Sequence, residues 1–182
     1  MFRVVERTTV CEAGFLTVER RRVAGPYDEE FDRHVVVHPG AVVVVPVDVD
    51  GRALLVRQYR AAAGRELLEV PAGKRDVAGE SPVATAEREL EEEIGRRAGR
   101  LQLLCEFFNS PGFTDEYTYV YLATDLEACD RAAESAEEAA MTVEAVALAD
   151  VEMLISSGEL VDAKSIIGLL LAQTVFADGH HD

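Results

Sequence analysis

The chain has 182 residues, and its 48% hydrophobic content is enough for one well-filled domain with a real core. A formal net charge of −16 disfavours binding to nucleic acid or to an acidic membrane surface, because such binding depends on neutralising phosphates with Lys and Arg. Three cysteines without close spacing suggest neither a disulfide framework nor a zinc site. Without a long apolar stretch or a signal-peptide pattern at the start, we expect a cytoplasmic protein.

The first 37 residues are predicted to form a small antiparallel β region. Short stretches typical of strands, at 15–18 and 35–37, are separated by Gly14, by Gly25-Pro26 and by an acidic patch at 28–30. We therefore divide the chain into an N-terminal region, 1–37, and a main domain, 38–182.

The main domain opens with a continuous apolar run at 41–47, which is typical of a strand buried on both faces. A second strand at 53–56 leads into Arg57-Gln58-Tyr59-Arg60, and a third stretch, 67–71, ends at Pro71. Arg57 and Arg60 stand out in so acidic a chain, since a guanidinium holds a phosphate bidentately. Surface arginines paired with nearby acids are the alternative.

A short acidic helix is predicted after this point. Ser81 is placed to cap its start, Pro82 fits the first helical position, and Gly95 ends it in a left-handed conformation. One stripe, formed by Val83, Ala86, Leu90 and Ile94, should face the core.

Three carboxylates, Glu89, Glu92 and Glu93, share the edge beside that stripe. Like charges three and four residues apart each cost roughly 0.2–0.5 kcal/mol, and Arg88 is the single cation among the five glutamates between positions 87 and 93. A hard divalent cation such as Mg²⁺ would turn this repulsion into coordination. A solvated acidic face is the alternative that helix chemistry leaves open.

The segment from Gly73 to Gly95 resembles the Nudix box, G-x5-E-x7-R-E-U-x-E-E-x-G-U, in which U is a bulky aliphatic residue. Glu80, Arg88-Glu89, Glu92-Glu93 and Gly95 match it at the required spacing. Two departures occur: six residues separate Gly73 from Glu80, and Arg96 stands at the last aliphatic position. Neither departure removes a ligand.

The resemblance implies an α/β fold, a Nudix-type α/β/α sandwich with a mixed sheet, preceded by the N-terminal β region. It implies that metal ions, Mg²⁺ or Mn²⁺ in its place, are held by Glu89, Glu92, Glu93 and the carbonyl of Ala72. Glu80 is expected to pair with Arg88 and fix the box loop.

Residues outside the box narrow the resemblance to the ADP-ribose pyrophosphatase branch. These are Arg57-Gln58-Tyr59-Arg60 and Glu69-Val70-Pro71-Ala72-Gly73, in which Arg57, Arg60 and Glu69 would serve substrate binding. Pro111 lies 16 positions beyond Gly95, and Ser110-Pro111-Gly112 resembles the marker for ADP-ribose specificity. An ordinary turn is the alternative for this loop.

The acidic stretch at 125–140 lacks a clean apolar stripe and is predicted to be a mobile loop. In members of the resembled family, the loop before the next strand carries a glutamate that activates water. Glu137 and Glu138 occupy that place, and we favour Glu138. A solvated acidic loop remains the alternative. Further on, Asp150 and Asp162 are predicted to cap two helices, with Gly158 ending the first.

These observations together predict Mg²⁺-dependent hydrolysis of ADP-ribose to AMP and ribose 5-phosphate, with Glu138 or Glu137 accepting the proton of the attacking water and Glu93 in the metal-binding set. Relatives with an N-terminal β region are homodimers, so we expect a homodimer. Another nucleoside diphosphate derivative, such as a nucleotide sugar or a dinucleotide coenzyme, is the alternative substrate. A non-catalytic ligand-binding or regulatory module is the alternative from another functional class.

Overall fold

A computed structural model provides the fold, and it describes residues 1–131 and 136–178. Ten strands and four α-helices occur in this part of the chain: β1 Arg3–Ala13, β2 Leu16–Ala24, β3 Glu30–Val37, β4 Ala41–Pro46, β5 Arg52–Arg60, β6 Arg65–Glu69, β7 Ala72–Lys74, α1 Pro82–Ile94, β8 Arg96–Phe108, β9 Tyr117–Ala128, α2 Ala136–Ala140, β10 Thr142–Ala147, α3 Val151–Ser157 and α4 Ala163–Asp178. No helix in the described ranges is long and apolar enough to cross a membrane.

Two sheets form the main domain. The larger is mixed, with strand order β7-β4-β9-β8, in which β4 runs parallel to β9 and antiparallel to β7. The smaller, β10-β5-β6, is antiparallel. Every residue of β4 is buried, so the prediction of a strand covered on both faces is confirmed.

The alternation of side chains along β4 places helices on opposite faces of the mixed sheet. Val42 and Val44 pack in one cluster with Ala86 and Leu90 of α1, whereas Val43 and Val45 belong to a second cluster that contains Leu169 and Ala172 of α4. Because successive residues of a strand point to opposite faces, α1 and α4 cover the two sides of the sheet. The predicted α/β/α sandwich is confirmed.

Helix α1 has the predicted ends. The Ser81 side chain accepts a hydrogen bond from the backbone N–H of Ala84, Pro82 occupies the first turn, and Gly95 adopts φ 61° at the C-terminus. The prediction for Val83 was wrong: its side chain is 42% exposed. The buried side of α1 starts at Thr85, so the first turn projects beyond the sheet.

The N-terminal residues form a separate antiparallel sheet, β1-β2-β3, as predicted. Its strands are longer than the short β-type stretches indicated, and every residue of β1 is exposed. Asp115, in the loop before β9, joins this sheet to the main domain. Its carboxylate accepts hydrogen bonds from Arg21 Nη2 at 2.9 Å and from the backbone N–H of His38 at 3.0 Å.

The region predicted as a loop at 125–140 is partly regular, which corrects that prediction. Strand β9 extends to Ala128 because it pairs with β8, and 136–140 form the short helix α2. Residues 132–135 lie outside the described part of the chain.

Two predicted helix caps had different outcomes. Asp162 caps α4, since its carboxylate accepts from the backbone N–H of Ser165 at 2.9 Å. Asp150 makes no side-chain cap bond to α3, because a 3₁₀ turn at 148–150 leads directly into that helix and leaves Asp150 in a helical conformation. Gly158 ends α3, as predicted.

Candidate active site

The box loop is fixed to helix α1 by Arg88. Its Nε donates to Glu80 Oε1 at 3.2 Å, and the Thr85 hydroxyl donates to Glu80 Oε2 at 2.8 Å. The predicted pairing of Glu80 with Arg88 is thus present. One ion pair closes the loop over the first two turns of the helix.

The three carboxylates of α1 are almost fully buried. Glu89, Glu92 and Glu93 are 7%, 9% and 4% exposed. Arg88 Nη1 lies 2.7 Å from both Glu89 Oε1 and Glu92 Oε2, while Glu93 Oε2 accepts a hydrogen bond from the backbone N–H of Ala72 at 3.1 Å. The solvated acidic face that the helix pattern left open is therefore not what the fold contains.

Burial shifts the proton affinity of two of these groups. Removal from water raises the pKa of Glu89 to about 7, against the attraction of Arg88 and with the repulsion of Glu92. Removal from water, together with repulsion by Glu89, raises the pKa of Glu93 to about 8, although the hydrogen bond from Ala72 opposes the shift. The attraction of Arg88 for Glu89, and that of Arg60 for Glu93, is too weak to offset these rises.

The donor set fits a hard divalent cation. Buried carboxylate oxygens on one helix edge are the ligands that such ions prefer, and a Cβ added at Gly73 would overlap the carboxylate of Glu89, so that the backbone and this carboxylate are in close contact. Within residues 1–131 and 136–178, no group of three His, Cys, Asp or Glu side chains is arranged around a common metal position. Arg88 contacts two of the three carboxylates, and Glu89, Glu92 and Glu93 are the side chains that would hold a cation.

These carboxylates line a cleft of about 560 Å³ between α1, β5 and the N-terminal sheet. Ala72, Arg60 and Glu138 line the same cleft. Arg60 is held by Glu69, which is 1% exposed, through two hydrogen bonds of 2.8 and 2.7 Å. The cleft thus combines the predicted metal ligands, one predicted substrate-binding arginine and the favoured general base.

Two other predicted parts of the site, Arg57 and Ser110-Pro111-Gly112, lie outside the lining of this cleft. Arg57 forms ion pairs with Glu144 and Glu159. Ser110-Pro111-Gly112 forms a turn in which the carbonyl of Ser110 accepts from Phe113 and Thr114, each at 3.1 Å. The side chain of Glu137 lies outside the described part of the structure. The assignment of these residues to substrate binding or catalysis stays a prediction.

Several residues that line the cleft were not singled out from the sequence. They come from distant parts of the chain: Phe15, His38, Lys74, Glu116, Met141 and Lys164. Phe15 packs edge-on against His38 with ring centroids 5.3 Å apart, and the Lys74 ammonium lies 4.4 Å from the centre of the Phe15 ring. Two of these residues could have been suspected from their neighbours in the chain, because Glu116 follows Gly112 by four positions and Lys164 follows the capping Asp162 by two. No pattern in the sequence indicated Phe15.

Comparison with known proteins agrees with this geometry. The model of the NUDIX domain matches residues 37–164. The chain belongs to the Nudix family. Its sequence is 39% identical over 174 residues to that of an ADP-ribose pyrophosphatase from Mycobacterium tuberculosis, and the match covers 96% of this chain and 84% of that protein. It is 39% identical over 148 residues to an ADP-ribose pyrophosphatase from Bacillus subtilis, covering 81% of this chain and 80% of that protein.

A solved structure described as an ADP compounds hydrolase shares the Nudix fold of this chain, with a TM-score of 0.86, 23% identity and coverage of 99% of this chain and 96% of that one. The resemblance to the ADP-ribose pyrophosphatase branch is confirmed by the two relatives. The protein is a Nudix pyrophosphohydrolase, and enzymes of this family generally use divalent metal ions.

The raised pKa values predict how the stability of the metal-free protein depends on pH. Glu89 and Glu93 have folded-state pKa values of about 7 and about 8, above the ordinary value of 4.5, so the folded state binds more protons than the unfolded state between pH 5 and 8. The free energy of unfolding should therefore fall as pH rises through this window. Thermal unfolding in a chelator, from pH 5 to pH 9, measures the decline.

Two variants of α1 separate this effect from the general charge of the protein. Glu93→Gln should flatten the decline, because the amide does not titrate. Glu91→Gln is the matched control: it removes the same charge from the same helix, but Glu91 pairs with Arg97, which lowers its pKa. Parallel profiles for wild type and Glu93→Gln would contradict the claim that the buried carboxylates cause the decline in stability with pH.

Proposed function

We propose that this Nudix pyrophosphohydrolase hydrolyses the diphosphate of ADP-ribose to AMP and ribose 5-phosphate in a Mg²⁺-dependent reaction. The observation that carries the proposal is the set of three buried carboxylates, two of them with raised pKa values, in a cleft that also contains Arg60. The two ADP-ribose pyrophosphatases with 39% identity support the choice of substrate.

Glu89, Glu92, Glu93 and the carbonyl of Ala72 would hold the cation in this proposal. When bound, Mg²⁺ neutralises charge on the diphosphate and lowers the pKa of coordinated water. Arg88 has the complementary role of keeping the helix folded without the ion, since it already contacts Glu89 and Glu92 at 2.7 Å. Its bond to Glu80 would still fix the loop if Glu89 and Glu92 held the ion.

Glu138 is the proposed general base. It lies on α2, lines the cleft, and is close enough to Glu89 to raise that residue's pKa by charge repulsion. A carboxylate close to the proposed metal ligands would accept the proton of the attacking water. Arg131 ties α2 to the end of α1, because its guanidinium donates to the backbone carbonyls of Glu138, Met141 and Glu92.

Arg60 is the proposed anchor for the phosphates. Its guanidinium is oriented by the bidentate contact with Glu69, which leaves its remaining N–H groups for a ligand. Glu69 therefore acts on substrate binding through the orientation of Arg60. Arg60 lines the same cleft as the three carboxylates of α1, and its charge opposes the rise in the pKa of Glu93.

The N-terminal region, 1–37, is proposed to be a dimerisation element that completes the site of a second copy. Its outer strand β1 is exposed along its whole length, including Val4 and Val10, which are 43% and 57% exposed. Light scattering after gel filtration should give about 40 kDa, twice the 19.9 kDa of one chain. A mass of one chain at micromolar concentration would contradict the dimer.

We place the enzyme in the cytoplasm, in agreement with the free thiols of Cys11, Cys105 and Cys129.

A substrate panel tests the proposed reaction. Initial rates with Mg²⁺ are measured for ADP-ribose, a nucleotide sugar and a dinucleotide coenzyme, with identification of both products by chromatography. We expect the highest kcat/KM for ADP-ribose, with AMP and ribose 5-phosphate as products. Equal or better turnover of the nucleotide sugar would reject the substrate assignment, and no turnover of any compound would favour a binding module.

Two single variants test the general base. Glu138→Gln should lower kcat by roughly 10²–10⁴-fold at saturating substrate and Mg²⁺, with little change in substrate affinity, because the side chain would contact water alone. Glu137→Gln is the matched control on the same helix and should be milder. The reverse ranking would transfer the role to Glu137, and two mild effects would remove the base from α2.

A further inference from the structure

The cations that line the cleft are all engaged by carboxylates. Arg60 is paired with Glu69, Arg88 with Glu80 and its helix neighbours, Lys164 with Asp162 at 2.7 Å, and Lys74 with Asp76 at 3.5 Å. In a cleft with so many acidic groups, a positively charged donor is always attracted to a protein carboxylate. A neutral donor is not held in this way.

Gln58 is a neutral donor among the described residues that line the cleft. Its side chain lines the cleft and is 7% exposed, yet its Nε2 has no hydrogen-bond partner among the residues that the structure describes. Arg75 Nε shares this property but belongs to a side chain that packs over the ring of Tyr119, outside the cleft lining. An unpaired buried amide is costly to the folded protein, so a native structure that contains one calls for an explanation.

The position of Gln58 on β5 relates it to the proposed phosphate anchor and to the helix that carries the proposed base. Gln58 and Arg60 are two residues apart on β5, so they point from the same face of the strand at a separation of about 7 Å. Strand β10 begins opposite Arg57, and α2, which precedes β10 in the chain and carries Glu138, packs against β5. Gln58 therefore shares β5 with the proposed phosphate anchor and lines the same cleft as the proposed base.

We propose that the Gln58 carboxamide is a substrate-contacting residue that donates a hydrogen bond to an oxygen of the substrate's diphosphate, beside the oxygen bound by Arg60. This inference rests on the proposed function and adds a binding residue to it. A phosphate oxygen only accepts hydrogen bonds, and the Nε2 of Gln58 only donates them, so the two groups are complementary. The donor has no partner within residues 1–131 and 136–178, and the substrate supplies its acceptor.

Gln58→Met tests the proposal by two measurements: the stability of the protein should rise, and its affinity for the ligand should fall. The variant keeps the side-chain volume and removes the unpaired donor, so the thermal midpoint of the ligand-free protein should rise by about 2–4 °C. The dissociation constant for an ADP-ribose analogue with a methylene group in place of the bridging diphosphate oxygen, measured by calorimetry with Mg²⁺, should increase roughly 10- to 100-fold. KM for the substrate should increase in parallel.

Gln58→Glu distinguishes a phosphate oxygen from a sugar hydroxyl. A carboxylate at this position repels a phosphate oxygen, so the affinity for the analogue should fall further than in Gln58→Met. A hydroxyl donates to a carboxylate, so it would preserve the affinity in Gln58→Glu. Retained affinity in this variant would overturn the proposal.

Gln173→Met is the matched control. The Gln173 Nε2 donates to the carbonyl of Leu148 at 2.6 Å, on α4 and outside the cleft lining. Its replacement should lower the thermal midpoint and leave analogue affinity unchanged. If Gln58→Met behaves like this control, Gln58 is a structural residue and the inference fails.

The outcome is separable from that of the proposed function. If the panel selects another nucleoside diphosphate derivative, the methylene analogue of that compound replaces the ADP-ribose analogue, and the ratios between variants decide the role of Gln58. A catalytically active wild type with unchanged affinity in both Gln58 variants would reject this inference and leave the proposed function intact.

Discussion

Three like charges buried on one edge of α1 are the constraint on which the site depends. Glu89, Glu92 and Glu93 are removed from water with Arg88 as the cation that contacts two of them. A folded protein that is only required to be stable gains nothing from this arrangement, because desolvation and mutual repulsion both disfavour it. Binding of a divalent cation would offset both costs, and this is the physical ground on which we propose that the helix holds a metal ion.

The rest of the fold holds this helix in position. Alternate side chains of β4 fix α1 on one face of the mixed sheet and α4 on the other. Glu93 accepts from the backbone of Ala72 at the entry to the box loop, and the Ser165 hydroxyl at the start of α4 accepts from the backbone of Val70 at 2.9 Å. The short segment between β6 and β7 is thus tied to both helix layers.

Features encoded by local sequence could be predicted. The caps of α1, the pairing of Glu80 with Arg88 and the burial of β4 depend on residues close in the chain or on an uninterrupted apolar run. The family resemblance added a substrate-binding role for Arg60, and the structure places this residue in the cleft. Predictions failed where distant packing decides: Val83 lies on the apolar stripe, but the sheet does not reach it, and β9 continues into the acidic stretch because β8 is there to pair with it.

The walls of the cleft illustrate the same limit. Phe15 and Lys164 are 149 positions apart in the chain and line one cleft, and no local pattern relates them. Gln58 is conspicuous only in three dimensions, because a glutamine in a strand gives no signal of an unpaired amide. Tertiary structure was needed to show which polar groups remain available to a ligand.

The most direct test of the account is calorimetric titration of the metal-free protein with Mg²⁺ at pH 7 in two buffers of different ionisation enthalpy. Because the pKa values of Glu89 and Glu93 are raised to about 7 and about 8, cation binding should release one to two protons, and Glu93→Gln should bind Mg²⁺ more weakly and release fewer. Binding without proton release, or unchanged binding in Glu93→Gln, would contradict the claim that these buried carboxylates form the metal site.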